Sequence, residues 1–389
     1  MSANRKTWSG LVLAVCCAGM FTISFGTAGP ALCLSTISVD LHLDRVQEGT
    51  FLAAPAAGVM IGVLLAGPLA DRLGPAPLLL LGSILQCAGL WWISLANGLS
   101  HLVVGGALMG IGGGMPDALA TPIACLARPD RRSGVANLLH AFFGVGVVCV
   151  IPSILLITHL GGSWRWVFRI LGVAALPYGL LAAFLDVPRV VHQGNTRLPT
   201  RRLLARPAMW GLLTIIFIGG ATELGPSGWL PTFVQNAGGG PNSAALSLLL
   251  FGVMLVIGRL GASMLAHRMG ALRLIAIAAV ACAALLLTAS LAGVIGSSAI
   301  IIAALSLLGL GVSIVWPTTL GSAGDRFPQA GATMYAVLSA AGNAGCVVGP
   351  YVIGVVADRW GLSFGMAVLA IGPTGAAVLA MVLRRRGQS

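Results

Sequence analysis

Apolar runs of bilayer length follow one another along this chain. About 20 mostly apolar residues carry a helix across the hydrocarbon, and candidate runs fall near 8–33, 50–70, 76–96, 100–126, 134–158 and 165–186. Six more fall near 208–233, 243–265, 272–293, 297–321, 330–356 and 362–383. Some merge across short turns, so the count of twelve rests jointly on hydropathy and on an internal repeat. Only 8% of residues are charged, which sets the chain apart from soluble domains. The expected fold is an all-α integral membrane protein of twelve transmembrane helices in two pseudo-symmetric six-helix halves. The first run is too long for a signal-peptide core and no cleavage site follows it, so it is read as the first helix.

The repeat shows at the turn after the second run. Residues 67–74 read GPLADRLG, and SMLAHRMG follows 196 residues later at 263–270. Pro317 lies 195 residues after Pro122, and Pro350 lies 198 after Pro152, so three registers agree. The expected domains are a half at 1–186, a linker at 187–207 and a second half at 208–389. The linker carries five arginines and three prolines and reads as a solvated connection held near anionic headgroups.

With both termini placed in the cytoplasm, only Arg45, Arg165, Arg169 and Arg359 of the 22 basic residues fall outside. The net charge of +12 is therefore a topology signal, and the expected location is the cell inner membrane or plasma membrane. No soluble segment is long enough to be a basic nucleic-acid module. The only lysine is Lys6, which excludes a Walker A phosphate loop, and neither HExxH nor GxSxG occurs. An enzyme is not expected. The eight cysteines lack metal-type spacing, and no metal or other cofactor is implied.

The polar exceptions inside the runs are the candidate site. In the fourth run, Gly110, Gly112, Gly113 and Gly114 precede Pro116 and Asp117, where helix geometry is expected to fail locally. An acid at mid-bilayer costs about 2.5–3.5 kcal/mol even on the lenient insertion scale, so Asp117 reads as functional. Glu223 is its counterpart in the seventh run, on a stripe with Gly219, Gly220 and Ser227. His140 in the fifth run, Trp316 in the tenth, and Tyr335 and Asn343 in the eleventh complete the expected substrate and proton pathway. The first run is expected to break at Gly26 to Pro30.

These residues resemble the major facilitator superfamily over essentially the whole chain. GPLADRLG is similar to that family's loop motif, and GVVADRWG at 354–361 stands at the symmetry-related turn. The departures are Pro75, Ala76 and Pro77 in place of basic residues, His267 in place of the second copy's Asp, and Gly106 where many members carry arginine. NLLHAFFGVG, TELGPSGWLPTF and WPTTLGSAGDRFP resemble the fucose-permease-like branch, although that branch carries acids in its first and fourth helices. The resemblance implies two six-helix halves around a cavity lined by helices 1, 4, 7 and 10, with alternating access by rocking.

The function expected is secondary active transport of a small solute, a sugar or other small polar organic molecule, coupled to protons through Asp117, Glu223 or both. A proton-driven drug efflux antiporter is the alternative, and a non-transporting membrane sensor is a more distant one. The partners are the solute, protons and the lipid bilayer, and a monomer is expected. Gly67, Asp71, Arg72 and Gly74, with Arg259, His267 and Arg268 in the second copy, form the gating motif. Gly67 is expected to allow close helix contact, and Gly74 with Pro75 to stop the helix. Asp71 suits the positive N-terminus of the eleventh helix rather than the C-terminal end of its own, and is expected to latch the halves while the cytoplasmic side is closed. Asp71→Asn should therefore shift the population toward inward-facing forms, read as greater cytoplasmic labelling of cysteines introduced as probes.

Overall fold

The computed structural model describes residues 2–127, 132–188, 200–327 and 330–386. All regular structure among them is α-helical, and twelve candidate membrane spans are built from it. Two compact units divide the chain, Met1–His42 with Ala54–Gln193 and Leu43–Ala53 with Gly194–Ser389. The predicted linker lies largely outside the described residues, and its end forms a short helix at Thr200–Leu204.

The helices are α1 (Ser2–Ile23), α2 (Phe25–Leu41), α3 (Arg45–Leu73), α4 (Pro75–Ser94), α5 (Leu99–Ala127), α6 (Arg132–His159), α7 (Trp164–Ala174) and α8 (Leu176–Phe184). After α9 (Thr200–Leu204) come α10 (Pro207–Asn236), α11 (Pro241–Met269), α12 (Ala271–Val294), α13 (Ser298–Arg326), α14 (Gly331–Trp360), α15 (Leu362–Leu369) and α16 (Ile371–Arg386). Three spans are made of two helices each. The breaks at Ala175 and Ala370 lie just before Pro177 and Pro373, whose rings clash with the carbonyl four residues back.

The break in the first span falls at Ser24 rather than at Gly26 to Pro30. The Ser24 hydroxyl donates to the Phe21 carbonyl at 2.7 Å and competes with the helical ladder there. Pro30 is accommodated inside α2, which runs on to Leu41. The connection to α3 is consequently only 42–44, with His42 in the left-handed region at φ 52° and Arg45 already opening α3. At the start of α7 Trp166 is exposed, whereas Trp164 is buried and donates to Asp40 at 3.1 Å.

The expectation that helix geometry fails after Gly110 is not met, since α5 runs unbroken through Pro116 and Pro122. Its glycines serve packing instead. A Cβ on Gly110 would lie 2.8 Å from Gly58 Cα of α3, and one on Gly114 would lie 2.7 Å from Gly62 Cα. Backbones thus cross with no side chain between them. The Gly112 carbonyl, which Pro116 leaves without its helical donor, faces Gly82 of α4 at 2.8 Å from where a Cβ would stand.

At the three motif copies the last glycine makes the turn. Gly74, Gly270 and Gly361 have φ of 87°, 82° and 82°, a region other residues rarely enter, and each joins a long helix directly to the next. Gly67 departs from expectation, because it is exposed and a Cβ there would meet nothing within 4 Å. Gly110→Ala should accordingly cost about 1–3 kcal/mol through overpacking, seen as a lower Tm in detergent, while Gly67→Ala should leave Tm unchanged or slightly raised.

Candidate functional site

The charged centre of the second unit is one ion pair. Arg259 donates through Nη2 to Glu223 Oε1 at 2.9 Å, and the side chains are only 11% and 8% exposed. Glu223 stands near the middle of α10. Gly258 lets α11 lie close to α13, since a Cβ there would fall 2.5 Å from the Leu310 carbonyl. The next residue, Arg259, is turned about 100° round the helix and reaches α10.

This alters the reading of Arg259. The sequence pattern counts it as cytoplasmic charge within the gating motif, whereas it lies inside the span Pro241–Ala262 and compensates a buried acid. Arg268 is exposed at the end of α11, and the His267 side chain lies outside the described residues. Asp71 and Arg72 are exposed in the last turn of α3.

Two further candidates meet at the contact between α10, α13 and α14. Gly220 of α10 and the Trp316 ring of α13 both meet Gly342 of α14. Asn343 is the next residue, 7% exposed, and its amide donates to the Ser339 carbonyl at 3.0 Å. Glu223 follows Gly220 by three residues, a rise of about 4.5 Å along α10. The hydroxyls nearby are occupied by their own helices, Ser227 donating to the Glu223 carbonyl at 2.6 Å and Thr222 to that of Ile218 at 2.8 Å.

Tyr335 does not join this group. It is 42% exposed in the first turns of α14 against Gly324, eight residues from Asn343 and so about 12 Å away along the helix. A void of about 10 Å³ lined by Ile218, Thr222, Cys282 and Val315 holds no more than a water and is not a solute site.

In the first unit, Asp117 on α5 and His140 on α6 are both partly buried. Gly19 of α1 crosses α5 at the preceding residue, where a Cβ would lie 2.7 Å from Pro116 Cβ. Sequence reading overlooks two polar features here. Thr121, one turn from Asp117, has a buried hydroxyl without a hydrogen-bond partner. The fully buried Gln86 donates to the Tyr178 hydroxyl at 2.9 Å, joining α4 to α8. Their separations in sequence, and the 36 residues between Glu223 and Arg259, carry no periodic signal. An arginine inside the apolar run VIGRLGAS is the one cue to the pair. Among the described residues no three His, Cys, Asp or Glu side chains gather as metal ligands.

The profile of the Major Facilitator Superfamily matches residues 14–350. The chain belongs to the major facilitator superfamily. As a member it is a transporter of small solutes. It is 26% identical over 382 residues to the purine ribonucleoside efflux pump NepI of Salmonella typhimurium (strain LT2), covering 94% of this chain and 91% of that one. A D-xylose transporter of Levilactobacillus brevis is 27% identical over 178 residues, 46% of this chain and 38% of that protein. The solved structure of a mutant of the nucleoside transporter NupG superposes with a TM-score of 0.78 at 13% identity, covering 96% of this chain and 99% of that one, a likeness of fold alone.

Within this superfamily member, removing Arg259 takes the cation from the buried Glu223 carboxylate, a change that costs about 3–5 kcal/mol. Arg259→Gln alone should lower Tm in detergent markedly, and the double variant Glu223→Gln/Arg259→Gln should recover most of the loss.

Proposed function

We propose that the chain is a secondary active transporter that moves a neutral nucleoside or similarly sized polar solute by alternating access, coupled to protons. The observation that carries this reading is the buried Glu223–Arg259 pair in the apolar second unit, whose helix α10 also meets α14 where Trp316 packs on Gly342, the residue before the buried Asn343. An indole offers a face on which a base stacks, and an amide both donates and accepts toward a base edge. Similarity to a purine ribonucleoside efflux pump over nearly the whole chain makes purine nucleosides the first solutes to test and export the first direction. A pentose is the second reading, favoured by the D-xylose relative and by the fucose-permease-like motifs.

We assign the coupling proton to Asp117 rather than to Glu223. Glu223 is almost fully buried, while Asp117 is only partly buried. His140, on the following helix of the same unit, is the candidate relay.

Proteoliposomes test the reading. A pH gradient should drive accumulation of radiolabelled adenosine, and Asp117→Asn should abolish that dependence while equilibrium exchange of adenosine persists. Gradient-insensitive movement in the parent protein would sink the coupling, and failure to move any nucleoside would sink the substrate assignment.

A further inference from the structure

We propose that the first turns of α7 hold the headgroup of an anionic phospholipid, with Arg169 as its phosphate anchor. Arg165 and Arg169 are two of only four basic residues that the charge pattern places outside. They stand four apart on α7, a spacing at which like charges are neighbours and repel. Among the described residues the one carboxylate that meets either is Asp40, and it takes Arg165 at 2.6 Å. Arg165 is committed to the fold, since its other terminal nitrogen donates to the Ala96 carbonyl at 3.1 Å and its guanidinium lies over the Trp164 ring. No described acid compensates Arg169.

Arg169 is nevertheless held in place. Its Nε donates to Ser94 Oγ of α4 at 3.3 Å, and its guanidinium carbon lies 4.8 Å from the centroid of the Trp166 ring. Ser94 is buried and is itself fixed, donating to the Trp91 carbonyl at 2.6 Å. Both terminal nitrogens of Arg169 find no acceptor among the described residues, and the guanidinium edge they form matches two oxygens of a phosphodiester. An arginine that snorkels toward water keeps its rotamer freedom, whereas these two contacts restrict Arg169 before any ligand arrives.

The surface beside it fits a lipid rather than a free anion. Trp166, Ile170 and Val173 form a stripe along α7 at helical spacing, 52%, 46% and 54% exposed. Gly172 lets α4 lie against the same helix, since a Cβ there would stand 2.7 Å from Trp91 Cδ1, and Trp91 is also largely exposed. One uncompensated cation thus heads an apolar surface inside the membrane span Trp164–Phe184. A phosphodiester with an uncharged alcohol meets the guanidinium while its acyl chains cover the stripe. A zwitterionic headgroup brings an ammonium to the same place, where Asp40 is already engaged.

Photolabelling of the full chain in phosphatidylcholine proteoliposomes tests the site. The probes are phosphatidylglycerol and phosphatidylcholine with the same diazirine-bearing acyl chain, and labelled residues are located by peptide mass spectrometry. Labelling of residues 164–173 should favour the phosphatidylglycerol probe by about tenfold. Arg169→Gln should bring the two probes level there and leave labelling elsewhere as in the parent protein. Arg359→Gln, which removes another exposed charge placed outside, should leave the preference at α7 intact. Equal labelling of α7 by both probes in the parent protein overturns the site, and this arm needs no variant to fold. A preference that survives Arg169→Gln, or that falls equally with Arg359→Gln, also overturns it. Loss of the preference on adding inorganic phosphate would mark a free-anion site and overturn the lipid.

Discussion

A backbone N–H or C=O in hydrocarbon has no water to turn to, and this constraint shapes the chain more than any single contact. It forces every span to be helical and makes each irregularity answer for the groups it releases. Prolines divide accordingly. Pro177 and Pro373 sit one turn into new helices, where the interrupted ladder becomes a break between two elements. Pro30, Pro116 and Pro122 stay inside helices, and at Pro116 a neighbour comes close to the carbonyl it releases. The Gly112 carbonyl turned toward Gly82 shows how, since only a residue without a side chain leaves a Cα–H free to face it.

The same closeness explains which parts of the fold were legible. Spans follow from composition, and the turns at Gly74, Gly270 and Gly361 follow from a repeated glycine where a helix must stop, because both signals are local. The fourth run was misread for the opposite reason. Intrinsic propensity counts Gly110 to Pro116 as a weakness, yet that propensity is measured on helices in water, and here the missing side chains admit α3 and α4 to the backbone of α5. Gly67 is the converse error, a glycine assigned a packing role by its motif but left open in the fold.

The candidate site was legible by residue type and not by partnership. Glu223 and Asp117 stand out because acids are rare in apolar runs, whereas Tyr335 was grouped with Asn343 only by sharing a helix and lies about two turns beyond it. Arg259 was misplaced because a charge count assigns each arginine to the nearer end of its run, and cannot see that an acid on the preceding helix reaches it first. Tertiary partnership between α10 and α11 has no periodicity to betray it.

Burial of that pair is itself an argument about purpose. Replacing a buried ion pair with well-packed apolar residues of similar volume is often neutral or stabilising by about 1–4 kcal/mol. On that principle an apolar pair of similar volume could hold α10 against α11 as well as Glu223 and Arg259 do. The hydroxyls of Ser227, Thr222, Ser313 and Thr319 make the contrast, each giving its proton to a carbonyl of its own helix at 2.6–2.8 Å. A buried pair that contributes little net stability is better explained by what it meets than by what it holds together.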